Sequence, residues 1–75
     1  MVFDPGMLRQ CRKRNGLKQA EVAMALSKSP SSVSKQENGD SLVAAEDLAA
    51  YADLYGVGVN IFFKEKLQWQ KNTML

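Results

Sequence analysis

The sequence predicts an all-α fold, a compact bundle of about five short helices, and three observations support this prediction. Asp4-Pro5 and Ser29-Pro30 each place a capping side chain before a proline, which is typical of the first turn of a helix. Glycine follows the predicted helices, as at Gly16, and the apolar residues between these signals recur at helical spacing. The 75 residues suffice for one domain with a modest core.

The first helix is expected to begin after Asp4 and to end at Gly16, with Leu8 and Cys11 on its buried side. Cys11 is the single cysteine and is interpreted as a small core residue. Because the chain has one cysteine and no histidine, a disulfide scaffold, the common zinc sites and histidine-dependent catalysis are excluded. We therefore expect no metal, no cofactor and no enzymatic activity.

A tight turn is predicted in the middle of the chain. A second helix is expected over about residues 19–26, with its apolar residues in one stripe. Only residues 27–29 separate it from a third helix, which is expected over residues 30–38 and ends at Gly39. Two short helices joined by so short a turn must cross at a steep angle, which is the helix-turn-helix arrangement.

The third helix is unusually polar, since Val33 is its only large apolar residue. A helix this short and rich in serine is unstable alone, so its neighbours must hold it. Its free face is then a candidate DNA-recognition surface, and an ordinary solvent-facing helix is the alternative. The side chains expected to face outward or sideways are Ser31, Ser32, Ser34, Lys35, Gln36 and Asn38.

A fourth helix is expected over about residues 44–55, with Leu48, Tyr51, Ala52 and Tyr55 on its buried face. The conformation of the segment after it stays open. Periodicity alone fits either a fifth short helix or a strand for this segment, because its apolar residues alternate.

The end of the chain is the predicted dimer interface. Apolar residues left uncovered at the end of the fourth helix and in residues 57–69 are explained economically by a homodimer. We expect residues 1–63 to form the domain and residues 64–75 to form a C-terminal tail that packs in the dimer or frays.

Charge is unevenly distributed along the chain. Residues 1–39 contain seven Lys and Arg against three Asp and Glu, whereas residues 40–63 contain four acidic residues and no Lys or Arg. This distribution suits a protein that turns one face to a polyanion, although charge runs also occur on ordinary solvated surfaces. No segment reaches the roughly 20 apolar residues of a membrane span, and the first residues lack a secretion signal. We expect a cytoplasmic protein with no membrane partner.

One pattern spans most of the chain. It comprises Gly16-Leu17-Lys18-Gln19-Ala20-Glu21-Val22-Ala23, then Leu26, Val33-Ser34-Lys35, Glu37-Asn38-Gly39, Leu48, Tyr51-Ala52 and Gly56-Val57. The pattern resembles the phage-repressor and Cro-like helix-turn-helix family, also called Xre-like, over roughly residues 6–63. The resemblance implies a regulator that binds double-stranded DNA through its third helix.

The resemblance also implies roles for individual residues. Gln19 matches a glutamine that contacts a phosphate and braces the recognition helix. Ser31, Ser34 and Lys35 match positions that read base edges, and Pro30 stands where relatives often carry a base-reading polar residue. The full set of expected DNA contacts is Lys18, Gln19, Lys28, Ser29, Pro30, Ser31, Ser34, Lys35 and Asn38.

Other positions match a structural pair or depart from the family pattern. Arg12 and Glu37 match a pair that is commonly salt-bridged between the first and third helices. Lys18 replaces the usual Ser or Thr cap, Ser27 replaces a glycine in the turn, and Lys28 replaces a small aliphatic residue. Because both lysines are expected near the DNA backbone, we expect each to contact a phosphate.

We interpret the chain as a sequence-specific DNA-binding transcriptional regulator, a dimeric repressor or autoregulator that reads the major groove with residues 30–38. The alternative is a protein-binding helix-turn-helix module, such as an antitoxin or antirepressor, with a protein partner that the sequence does not identify. An enzyme is the weakest hypothesis because the sequence offers no nucleophile and base to pair.

Overall fold

The computed structural model describes residues 1–65 and confirms the all-α class. This part of the chain contains four α-helices and two very short strands, one near each end of it, that pair with each other. No helix among these residues is both long and apolar enough to cross a membrane. The elements are β1 (Val2–Phe3), α1 (Pro5–Arg14), α2 (Gln19–Ala25), α3 (Pro30–Asn38), α4 (Ala45–Tyr55), a 3-10 helix (Val59–Phe62) and β2 (Phe63–Lys64).

The helices begin where the capping signals predict. The Asp4 carboxylate accepts a hydrogen bond from the Gly6 backbone N–H at 3.2 Å, and the Ser29 hydroxyl accepts one from the Ser32 N–H at 3.1 Å. These side chains satisfy donors that have no partner inside α1 and α3. At α2 the Lys18 side chain makes no such bond, and the Glu21 carboxylate instead accepts from the Lys18 N–H at 2.7 Å.

One apolar core lies between all four helices. Tyr51 and Phe62 are its largest fully buried side chains, and Leu48, predicted to be buried, packs at its edge. Val33 is the apolar residue by which α3 packs into this core. The buried apolar residues are Leu8, Cys11, Val22, Ala23, Val33, Tyr51, Ala52, Tyr55 and Phe62.

Both conformations considered for the segment after α4 occur in it. The 3-10 helix Val59–Phe62 comes first and buries Phe62, and β2 follows at once. β2 is antiparallel to β1, with Lys64 opposite Val2 and Phe63 opposite Phe3. Lys64, assigned to the tail by the sequence, therefore belongs to this small sheet. Residues 66–75, which hold most of the predicted tail, lie outside the described residues.

Candidate nucleic-acid interface

The outward face of α3 carries small polar side chains and one cation. Ser31, Lys35 and Asn38 are exposed and Ser34 is half-buried. Their spacing of three and four residues places them along one side of the helix. Pro30, also exposed, lies at the start of the same helix. Within residues 1–65 this surface is polar and largely exposed.

The prediction for Gln36 is wrong, because its side chain faces inward and is only 4% exposed. Position 36 lies three residues after the buried Val33 and therefore shares its side of the helix. The Tyr51 hydroxyl donates to Gln36 Oε1 at 2.6 Å, and Gln36 Nε2 donates to the Leu42 carbonyl at 3.4 Å. Gln36 thus joins α3 to α4 and to the loop between them.

A buried ion pair joins α3 to α1. Arg12 donates from Nε to Glu37 Oε2 at 2.7 Å and from Nη2 to Oε1 at 3.1 Å. Gln19 Nε2 donates to Glu37 Oε1 at 3.0 Å, and the Glu37 side chain is 0% exposed. The hydrogen bond from Arg12 to Glu37 raises the Arg12 pKa above its usual value. We call Arg12, Gln19 and Glu37 the Glu37 cluster.

A second polar group joins the turn and α3 to α4. The Lys28 ammonium lies 2.8 Å from Asp47 Oδ2, and Gln36 Nε2 donates to the same oxygen at 3.3 Å. The Lys28 and Asp47 side chains are 17% and 27% exposed. The hydrogen bond from Lys28 lowers the Asp47 pKa below its usual value. We call Lys28, Gln36, Asp47 and Tyr51 the Asp47 cluster.

The comparisons with known proteins agree with this geometry. A family model described as a helix-turn-helix domain matches residues 6–60, which is more than half of the chain. The chain belongs to the helix-turn-helix domain family. Membership indicates a DNA-binding regulator and fits a non-enzymatic role. Neither the search of curated proteins nor the search of solved structures gave a significant match.

The turn of this helix-turn-helix domain has a strained residue. Ser27 has a φ of 57°, the left-handed region that glycine adopts at least cost. The Lys28 N–H donates to the Ala23 carbonyl at 2.8 Å, which closes the end of α2. The serine therefore takes the conformation that a glycine in the turn of a relative would adopt more cheaply.

The remaining predicted contacts of the helix-turn-helix domain lie around α3. Lys18 is exposed at the start of α2. The Ser29 hydroxyl is used as an acceptor by the cap, which leaves its O–H free to donate. Asn38 Oδ1 accepts from Arg9 Nη2 at 3.0 Å. The phosphate contacts predicted for Lys18, Gln19 and Lys28 stay predictions.

Two residues of this region, Arg9 and Asp47, were missed from the sequence, and Gln36 was predicted with the wrong orientation. Arg9 lies three residues before Arg12 and so faces the same side of α1, next to α3. That spacing was a usable signal for Arg9. Asp47 carried no such signal, because its contacts form only when α4 packs on the turn.

Proposed function

We propose that the chain is a sequence-specific DNA-binding transcriptional regulator of the phage-repressor and Cro-like kind, acting in the cytoplasm as a dimeric repressor or autoregulator. The observation that carries the proposal is the contrast between the two sides of α3. Its outward side is polar and is contacted only at Asn38, by Arg9, among the hydrogen bonds of residues 1–65, whereas Val33, Gln36 and Glu37 fix its inner side to α1, α2 and α4. A helix held this way can enter the major groove as a rigid unit.

Affinity and sequence choice come from different side chains in this proposal. Lys18 and Gln19, at the start of α2, contact phosphates and set the position of the domain on the duplex. Ser31, Ser34 and Lys35 reach base edges from α3. Lysine suits the guanine acceptors O6 and N7, and a serine hydroxyl both donates and accepts.

Other side chains complete the proposed interface. Pro30 packs on a thymine methyl at the start of α3. Ser29 contacts the DNA next to Pro30, and Asn38 contacts it at the opposite end of the helix. Two serines discriminate weakly, so DNA shape and bridging water add to the choice of operator. Lys28, which the sequence predicts to contact a phosphate, is not included in the proposed interface because its ammonium is paired with Asp47.

A homodimer fits the proposed reading of an operator with two half-sites. Two recognition helices about 34 Å apart match successive turns of the major groove. Support comes from apolar side chains left exposed within residues 1–65: Val59 is 43% exposed at the start of the 3-10 helix, and Leu42 is 95% exposed before α4. A second copy that covers Val59 would bury apolar surface at the predicted end of the domain.

Selection of bound duplexes from a random pool tests this function. We expect enrichment of a pseudo-palindromic sequence, and the variant Lys35→Ala is expected to relax the preference at one position in each half-site. Ser32→Ala is a matched control on α3, because Ser32 is half-buried and lies off the outward face. No enrichment, together with binding that does not weaken as salt is raised, would contradict DNA binding.

A second candidate is a protein-binding helix-turn-helix module such as an antitoxin or antirepressor. It is favoured by an apolar groove of about 650 Å³ between the sheet and the start of α4, lined by Phe3, Leu42, Leu48 and Phe63 among others. A titration against random duplex at several salt concentrations distinguishes the candidates, because only DNA binding is expected to fall steeply with salt.

A further inference from the structure

We propose that Asp47 withholds Lys28 from the DNA backbone, so that an acid on α4 competes with phosphate for the one lysine in the turn. This inference rests on the proposed DNA-binding function. It makes Asp47 a positioning residue that sets how many phosphates the domain neutralises, although Asp47 itself touches no DNA.

The position of Lys28 in the chain favours a phosphate contact. Lys28 lies two residues before Pro30, the first residue of α3. Recognition helices of this arrangement contact base edges with their N-terminal residues, so the residues just before the helix lie close to a DNA strand. An unpaired lysine at this position would be within reach of a phosphate.

The side chain of Lys28 nevertheless turns the other way. Its ammonium lies 2.8 Å from Asp47 Oδ2 and the side chain is only 17% exposed. Gln36 Nε2 donates to the same carboxylate oxygen, and Gln36 is buried on the inner side of α3. The carboxylate that holds Lys28 is therefore behind α3, whereas DNA would lie in front of it.

The pair is accessible enough to exchange. Both side chains keep some contact with solvent, so the pair can open. A phosphate that approaches Lys28 must replace a charged hydrogen bond that is already made. Removing the acid removes this competition, and Lys28 then neutralises one further phosphate.

The salt dependence of binding measures this directly. For duplex DNA the slope of log K against log salt steepens by about 0.9 for each phosphate that is neutralised. We would measure the slope by fluorescence anisotropy on a random-sequence duplex with the full chain and its Asp47→Asn, Lys28→Met and Lys28→Met/Asp47→Asn variants. Asp53→Asn is the matched control, because it removes one exposed acid of α4 that pairs with no cation within residues 1–65.

The expected result is a slope steeper by about 0.9 for Asp47→Asn and an unchanged slope for the other three variants. Asparagine keeps the size of Asp47 and an acceptor for Gln36, so only the charge is lost. A purely structural role would not produce a slope change that depends on the presence of Lys28. Circular dichroism reports whether each variant is folded. If Asp47→Asn fails to fold, the inference is tested by Lys28→Met alone, whose slope is expected to equal that of the parent chain.

Several outcomes would overturn the inference. A shallower slope for Lys28→Met would mean that Lys28 already contacts a phosphate in the parent chain. An unchanged slope in folded Asp47→Asn, or an equal steepening in the double variant or in Asp53→Asn, would mean that no lysine is released. Absence of salt-dependent binding by the parent chain would refute the proposed function itself, and the inference with it.

Discussion

The Glu37 cluster and the Asp47 cluster both contact α3, but the ion pair of the first is buried and that of the second is partly exposed to solvent. Glu37 is 0% exposed and accepts from Arg12 and Gln19, whereas the ion pair of Lys28 and Asp47 is partly exposed. A buried charge with all its hydrogen bonds cannot lose a partner without a large cost, but a partly hydrated pair can exchange. The position of α3 relative to α1 is therefore fixed, whereas the Lys28 ammonium in the turn can exchange its carboxylate partner for another anion.

The largest expected effect separates the two clusters by stability. Arg12→Ala leaves the Glu37 carboxylate buried without its main partner, and loss of one partner of a buried pair costs about 3–5 kcal/mol. Lys28→Ala is expected to lower the free energy of unfolding by less than about 1 kcal/mol, because Asp47 remains partly hydrated. Urea denaturation of both variants measures these changes.

The double variant Arg12→Met/Glu37→Leu is the control for this prediction. It replaces both charges by apolar side chains and is expected to recover much of the stability that Arg12→Ala loses, since no charge is left buried. Equal losses in Arg12→Ala and Lys28→Ala would remove the distinction between the clusters.

Alkaline pH is expected to weaken the α4 side of the molecule. Burial raises the pKa of Tyr51 to about 12, and burial also raises the pKa of Tyr55 above its usual value. Because the fold favours the neutral phenol, this contribution is complete below the unfolded pKa of about 10 and is lost as pH rises toward the folded value. Urea midpoints should therefore fall above about pH 10.

The two tyrosines make this dependence easy to follow, since the chain contains no others. Tyrosinate absorbance reports their ionisation while circular dichroism reports unfolding. Tyr51→Phe should show a flatter loss of stability with pH than the parent chain does. The same steep loss in both proteins would assign the alkaline transition to other groups.

The sequence predicted the fold better than it predicted the contacts behind α3. Asp4 and Ser29 gave the starts of α1 and α3 because capping is a local interaction between residues two or three apart. β1 gave no signal, since a period of two cannot be read from two residues, and the alternation after α4 allowed a strand there without showing where β2 lies or what it pairs with. Helix positions were therefore predictable, and the pairing of residues 2–3 with residues 63–64 was not.

Within the candidate site, the exposure of Ser31 and Lys35 followed from a helix with one apolar residue. That same pattern could not orient Gln36, because a single buried Val33 leaves the width of the inner face undefined. Lys28 and Asp47 are 19 residues apart in sequence, and their pairing depends on how α4 packs against the turn. The family resemblance gave no guide there, because the pattern it implies has a small aliphatic residue at position 28, which could not pair with Asp47.

A smaller effect is expected from the hydroxyls of the two stacked tyrosines on α4. Tyr51 donates to Gln36, so Tyr51→Phe leaves a buried acceptor unpaired and is expected to cost about 1–2 kcal/mol. The Tyr55 hydroxyl is buried and has no hydrogen-bond partner within residues 1–65, so Tyr55→Phe should be neutral or slightly stabilising. Thermal and urea denaturation of the two variants measures both changes. A larger loss of stability in Tyr55→Phe than in Tyr51→Phe would contradict the importance of the Asp47 cluster.

The smallest expected effect concerns the strained residue beside Lys28. A non-glycine residue in the left-handed region destabilises the fold by about 1–2 kcal/mol. Glycine relieves this strain, but it also increases the conformational entropy of the unfolded chain, which offsets part of the gain. Ser27→Gly is therefore expected to raise the free energy of unfolding by about 0.5–1 kcal/mol, and Ser27→Ala, which keeps the strain, should change it little. Such a gain would mean that contacts of the turn, among them the ion pair of Lys28 with Asp47, hold Ser27 in a conformation it would not adopt alone. A loss of stability in Ser27→Gly would instead mean that the turn is unstrained and needs no support from α4.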